Sequence, residues 1–150
     1  MADRPHHLPA AGDLRTFLDE IGPRWSVDIR QSSADVKAAY APLLAKAPRV
    51  GVQVQRDIAY GADARQLLDV FVPPQGTGAA TVSGRPIIVF MHGGAFVRGD
   101  KSSDMGLYDN VLFWFARLGC VGVNVEYRLA PQAAFPGAVD DLAEALHWVQ

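Results

Sequence analysis

The chain has 150 residues, 49% of them hydrophobic and 20% charged, with a formal net charge of −2. That length is enough for one domain with a real core, and the charge balance leaves no basic footprint for nucleic acid or an anionic membrane. The single cysteine, Cys120, excludes an intrachain disulfide and reads as a packed residue at the head of an apolar strand. No apolar run reaches the length of a transmembrane helix, and the N-terminus, M-A-D-R-P-H-H-L-P, holds no apolar signal core. The expected location is therefore the cytoplasm.

Residues 1–12 carry no pattern and read as a frayed tail, with His6 and His7 solvated rather than paired on a metal. The first helix is expected from Asp13, as cap, to Gly22-Pro23, with Leu14, Phe17, Leu18 and Ile21 on one face. A second begins at Ser32, where Ser32-x-x-Asp35 resembles a capping box. Its face is Val36, Tyr40 and Leu43 or Leu44, and Pro42 should kink or divide it. These helices precede any strand, so residues 1–50 read as an N-terminal helical cap segment, and residues 51–150 as the N-terminal part of an α/β domain with no linker apparent between the two.

Val52 to Tyr60 alternates apolar and polar residues, the mark of a half-exposed strand, although Arg56 falls on its apolar side. Gly61-Ala62-Asp63 supplies a turn, and Gln66 to Val72, stopped by Pro73-Pro74, completes an antiparallel hairpin. Residues 74–84 read as a mobile loop. Ile87–Met91 is a continuous apolar run, expected to be a strand buried on both faces. It breaks at His92-Gly93-Gly94, where two glycines free the backbone to turn sharply and leave its N–H groups open to an oxyanion or a phosphate.

Ser103 or Asp104 is expected to cap a third helix, with Leu107, Val111, Trp114 or Phe115, and Leu118 on its inner face and Gly119 closing it. Val121 to Glu126 then makes a second buried strand, parallel to the first. A last helix opens at Pro136, with Val139, Leu142, Ala143, Leu146 and Val149 inward. Trp148 lies off that face, so another layer of protein should cover it. The expected fold class is α/β: an antiparallel N-terminal hairpin leading into a parallel, helix-covered sheet.

Three segments, L-D-V-F-V-P (68–73), H-G-G-A-F (92–96) and E-Y-R-L-A-P…F-P-G-A-V-D-D (126–141), occur in an order that resembles the N-terminal half of α/β-hydrolase esterases. The similar branches are the hormone-sensitive-lipase-like carboxylesterases and the feruloyl-esterase and arylformamidase-like enzymes. The resemblance implies an oxyanion loop in which Gly93 makes the turn and Gly94 and Ala95 donate backbone N–H groups. It implies a small-molecule ester as substrate and neither metal nor organic cofactor. Phe96 stands where formamidase-like members often have Trp, and is a candidate substrate contact. His92 is read as bracing the turn rather than as a base, and Arg128 with Asp140 as a structural charge pair supporting the site. Tyr127 is read as core.

A serine hydrolase of this fold needs a Ser on a G-x-S-x-G elbow, then an acid, then a His. None of the serines at 26, 32, 33, 83, 102 and 103 sits in that motif, and His147 follows no nucleophile. The patterned last helix is still in phase at Val149, so the triad is expected beyond Gln150 and the 150 residues alone are expected to be inactive. Two rivals remain. Gly94 to Gly99 followed by Asp100-Lys101-Ser102 is one residue from a phosphate-binding P-loop, and the whole could be a non-catalytic α/β binding module.

Overall fold

The computed structural model describes residues 13–76, 84–102 and 106–150, and the chain divides into two compact units, Met1–Ala47 and Pro48–Gln150. The tail with His6 and His7, most of the 74–84 loop, and the expected caps Ser103 and Asp104 lie outside the described residues; the helix that follows has Gly106 as its N-cap.

In the first unit, helix α1 (Leu14–Ile21) turns its expected apolar face inward, with Ile21 buried and Leu14, Phe17 and Leu18 half-buried. Asp13 starts it through its carbonyl, which accepts the Phe17 N–H at 2.9 Å, while its carboxylate caps nothing. Gly22-Pro23 does not stop the chain outright but tightens it into a 3₁₀ turn, Gly22–Arg24. Helix α2 (Ile29–Ala45) begins earlier than the Ser32 reading. Asp28 is the cap, its carboxylate taking the Gln31 N–H at 3.0 Å and satisfying a donor that Ser32 could not reach from inside the helix. Pro42 removes its hydrogen bond only in the last turn, so the helix runs on through it undivided.

The second unit is built on one four-stranded sheet in the order β1-β2-β4-β3. Strands β1 (Gln53–Ala59) and β2 (Leu67–Val72) form the expected antiparallel hairpin. Its alternation is interrupted between Gln55 and Ile58, where Asp57 adopts φ +54° and points its N–H at the Asp69 carboxylate, 2.9 Å away. Strand β4 (Val121–Val125) runs antiparallel to β2 and parallel to β3 (Ile87–Met91). The parallel β3–β4 pair is therefore as expected. The burial of β3 is not: Ile87 is 42% exposed and Ile88–Met91 are half-buried, because among the described residues β3 has one neighbour and forms the sheet's end.

Alternation along the strands divides the core in two. On one face Phe71, Ile88 and Phe90 meet helix α3 (Leu107–Arg117); on the other Leu68, Val123 and Val125 meet Ala145 of helix α4 (Gly137–Trp148). Both helices sit rotated from the expected phase. In α3 the buried residues are Leu112, Phe113 and Ala116; of the expected face Leu107, Val111 and Phe115 are half-buried, while Trp114 and Leu118 are exposed. The run Val111–Phe115 is apolar all round, and bare Gly122 decides the matter by admitting Leu112, which a Cβ there would approach at 3.1 Å. In α4 the inner face is Gly137, Ala138, Asp141 and Ala145, with Leu142 and Val149 half-buried and Val139, Ala143 and Leu146 exposed. Turning Asp141 inward rotates the helix by about 100°, one residue's worth. Trp148 is 43% exposed.

Candidate functional site

Beyond Met91 the backbone turns at His92-Gly93-Gly94 into a loop that rejoins the body at Lys101. Its tip is left-handed, with φ +138° at Gly94, +55° at Ala95 and +61° at Phe96. A Cβ at Gly94 would run into the Arg98 carbonyl, so glycine is required there. Ala95 and Phe96 carry their side chains in a conformation that costs non-glycine residues of order 1–3 kcal/mol each. What holds the tip is a set of backbone bonds. The Gly94 carbonyl accepts the N–H groups of Val97 and Arg98, both at 3.2 Å, and the Phe96 carbonyl accepts that of Ala130 at 2.8 Å. Among the described residues no acceptor takes the N–H of Gly94 or Ala95, and Ala95 is exposed.

The base of the loop is buried and charged. His92, 3% exposed, stacks on the Tyr127 ring with centroids 4.3 Å apart, and the Tyr127 hydroxyl donates to the His92 carbonyl at 2.7 Å. Its Nε2 lies 3.0 Å from Glu126 Oε1 and its Nδ1 2.9 Å from the Gly93 carbonyl. Burial works against charge on this ring, but the Glu126 carboxylate and the Gly93 carbonyl outweigh it and raise the pKa above the usual imidazole value. Arg65, from the β1–β2 turn, hydrogen-bonds Glu126 Oε1 and also donates to the carbonyls of Tyr127 and Gly99, each at 2.9 Å.

A second knot fixes the far end. The Lys101 ammonium, on a residue 4% exposed, donates to Asp57 and Asp69 at 2.7 Å each, and Arg56 reaches the other Asp69 oxygen at 2.8 Å. Burial alone would push the Asp69 carboxyl up; Lys101, the Asp57 N–H and Arg56 together bring it below its ordinary range. The P-loop reading fails here, because a lysine held inside by two carboxylates cannot project to a phosphate.

The expected site residues are thus partly gathered. His92, Gly93, Gly94, Ala95 and Phe96 share the loop. Phe96, 58% exposed, borders an apolar notch of about 90 Å³ with Ala130, Phe135, Pro136 and Val139. Arg128 does not pair with Asp140. Its guanidinium grips Asp141, with Nη2 2.6 Å and Nε 2.9 Å from Oδ1, while Asp140 faces outward. The cause is the rotation of α4, which brings Asp141 to 0% exposure against Arg128 and Gln66. Ser102 lies beyond the loop, its N–H on Asp100 Oδ1 at 2.7 Å, and His147 is exposed on α4. Three residues of the site carried no assigned role in the sequence: Glu126, Arg65 and Asp69. The signal available was an acid closing one apolar strand and another interrupting L-L-D-V-F-V. Among the described residues no cluster of three or more His, Cys, Asp or Glu is placed to hold a metal, and no helix is long and apolar enough to cross a membrane.

Comparison with known proteins places this geometry. Residues 68–150 match the BD-FAE family model. The chain is 35% identical over 99 residues to 3-O-acetylpapaveroxine carboxylesterase CXE2 of Papaver somniferum, covering 65% of this chain and 31% of that protein. It is 42% identical over 74 residues to the gibberellin receptor GID1 of Oryza sativa subsp. japonica, covering 49% of this chain and 20% of the receptor. Among solved structures it is similar to Esterase B from Lactobacillus rhamnosis, with a TM-score of 0.57 and 26% identity, covering 92% of this chain and 40% of the esterase. The chain spans about a third of the length of the curated relatives it matches. With more than half of its residues inside that family match and its sheet shared with α/β-hydrolase esterases, the chain belongs to the BD-FAE family.

Proposed function

We propose that this chain is the N-terminal part of a serine carboxylic-ester hydrolase acting on small-molecule esters, and that Gly94 and Ala95 form its oxyanion hole. The observation that carries the reading is the pair of open N–H groups at the exposed tip of a loop whose two ends are buried. Donors fixed in that way stabilise developing negative charge without reorganising during the reaction. In this reading residues 1–50 form a cap segment, residues 51–150 begin the catalytic domain, and the nucleophile, acid and His lie beyond residue 150.

The reaction then runs as two acyl transfers. The serine oxygen bonds to the ester carbonyl carbon as His takes its proton, and the resulting oxyanion sits on the N–H groups of Gly94 and Ala95. The carbon–alkoxide bond breaks with the His proton passing to the leaving alcohol. Water repeats the sequence on the acyl-enzyme, releasing the acid and the serine. The complete protein is expected to hydrolyse a p-nitrophenyl ester and to lose that turnover to a serine-directed phosphonate. Residues 1–150 alone should do no better than buffer. Phosphonate-sensitive turnover by the 150-residue chain would contradict the placement of the triad.

A second reading, a non-catalytic binding module, is favoured by one observation, the similarity to a gibberellin receptor. A complete protein that binds but does not hydrolyse esters, and that no phosphonate labels, would establish it.

A further inference from the structure

The two ends of the 92–101 loop meet on a single carboxylate. Glu126 Oε1 lies 3.0 Å from His92 Nε2, and Glu126 Oε2 accepts the backbone N–H of Lys101 at 2.7 Å. Oε1 also takes Arg65 and, at 3.3 Å, the N–H of Tyr127. The Lys101 carbonyl is held in turn by the Asn124 amide at 3.0 Å, and the Tyr60 hydroxyl donates to the Glu126 carbonyl at 2.7 Å. We infer that Glu126 is a positioning residue: its carboxylate closes the loop at both ends and so fixes where the N–H groups of Gly94 and Ala95 point. This inference rests on the hydrolase reading above.

The chemistry explains why the residue is an acid. Four donors converge on it, and only an ionised carboxylate, with about four lone-pair sites and no proton, accepts them all. A glutamine would turn an NH₂ group toward at least one donor. The same geometry sets the state of His92. Both its ring nitrogens face oxygen acceptors, Glu126 and the Gly93 carbonyl, and only the doubly protonated imidazolium donates to both. The other groups around the ring are Arg65, which opposes its charge, and the Tyr127 phenol, kept protonated by burial. Lys101 brings only its backbone to this cluster, its ammonium being turned to Asp57 and Asp69.

The pH consequence has a definite sign. A folded-state pKa raised above the unfolded value means that the clamp is complete below about pH 6.5 and is lost as pH rises through the folded pKa. Activity should therefore show an alkaline limb that belongs to His92, and removing the Glu126 charge should move that limb toward lower pH.

The test is Glu126→Gln in the complete protein, read by steady-state ester kinetics across pH and by ¹⁵N NMR of the His92 ring. We expect kcat to fall about 10- to 100-fold, as for a displaced catalytic group, with KM nearly unchanged. The alkaline limb should shift down, and His92 should lose its second proton at lower pH than in the wild type. An E126Q protein that binds substrate normally and keeps both its kcat and its limb overturns the inference. If E126Q does not fold, the wild-type spectrum decides: a His92 ring already neutral at pH 6 overturns it. Absence of ester turnover in the wild type would instead remove the hydrolase reading, and the NMR result would still show whether Glu126 holds His92 charged.

Discussion

The ends and the tip of the 92–101 loop differ in burial, bonding and backbone conformation. At its ends His92 and Lys101 are 3% and 4% exposed and their polar groups are hydrogen-bonded into the body. At its tip Phe96 and Val97 are 58% and 56% exposed, the backbone is left-handed at Ala95 and Phe96, and two N–H groups have no acceptor among the described residues. On the proposed reading, the difference separates the contacts that hold the loop from the N–H groups that would act on a substrate. The ends are held by ion pairs and hydrogen bonds, while the tip carries left-handed strain and two N–H groups with no acceptor among the described residues.

The largest effect on stability should come from breaking the ends. Asp69 accepts Lys101, Arg56 and the Asp57 N–H with 0% exposure, so Asp69→Asn leaves a buried ammonium short of a counter-charge. Asp57 still holds the ammonium at 2.7 Å, so the expected loss is about 1–3 kcal/mol in denaturant unfolding, the range for a buried donor set left partly unsatisfied. Because its pKa is depressed, the Asp69 contribution is present above the ordinary carboxylate range and disappears as pH falls through the folded pKa. The wild type should converge on the variant in acid. A variant as stable as the wild type at pH 7 would show that Lys101 is held by other contacts.

Breaking the tip should cost function instead. Ala95→Pro removes one of the open N–H groups and demands a φ near −65° where the chain has +55°. In the complete protein kcat should fall by about 10²–10³ with little change in KM, whereas Ala95→Gly, which relieves the strain, should be tolerated. Paired kinetics of the two variants check this. Equal activity in a folded Ala95→Pro protein would remove Ala95 from the oxyanion hole.

Much of this contrast is legible in the sequence, and the illegible part has a common cause. Ile87–Met91 followed by His92-Gly93-Gly94 announces a strand and a turn from local pattern alone, and both are present. Local pattern carries no information about neighbours, however. The same apolar run that reads as doubly buried is half-exposed, because burial of β3 depends on a second strand at the sheet's end. Long-range polar pairing is hidden for the same reason. Asp69 interrupts an apolar strand and so signals a buried partner, but nothing in its spacing points to Lys101. The sequence cannot tell Asp140 from Asp141 as the partner of Arg128, because adjacent aspartates are interchangeable there; one step of helix phase brings Asp141 to Gln66 and Arg128.

The most direct measurement is of the two amides themselves. The complete protein, labelled with ¹⁵N and inactivated by a serine-directed phosphonate, carries a tetrahedral oxygen where the oxyanion would form. The account predicts that the N–H protons of Gly94 and Ala95 move strongly downfield on inactivation, while the N–H of Lys101, already bonded to Glu126, stays in place. Amides of Gly94 and Ala95 that do not shift in a fully inactivated protein would contradict it.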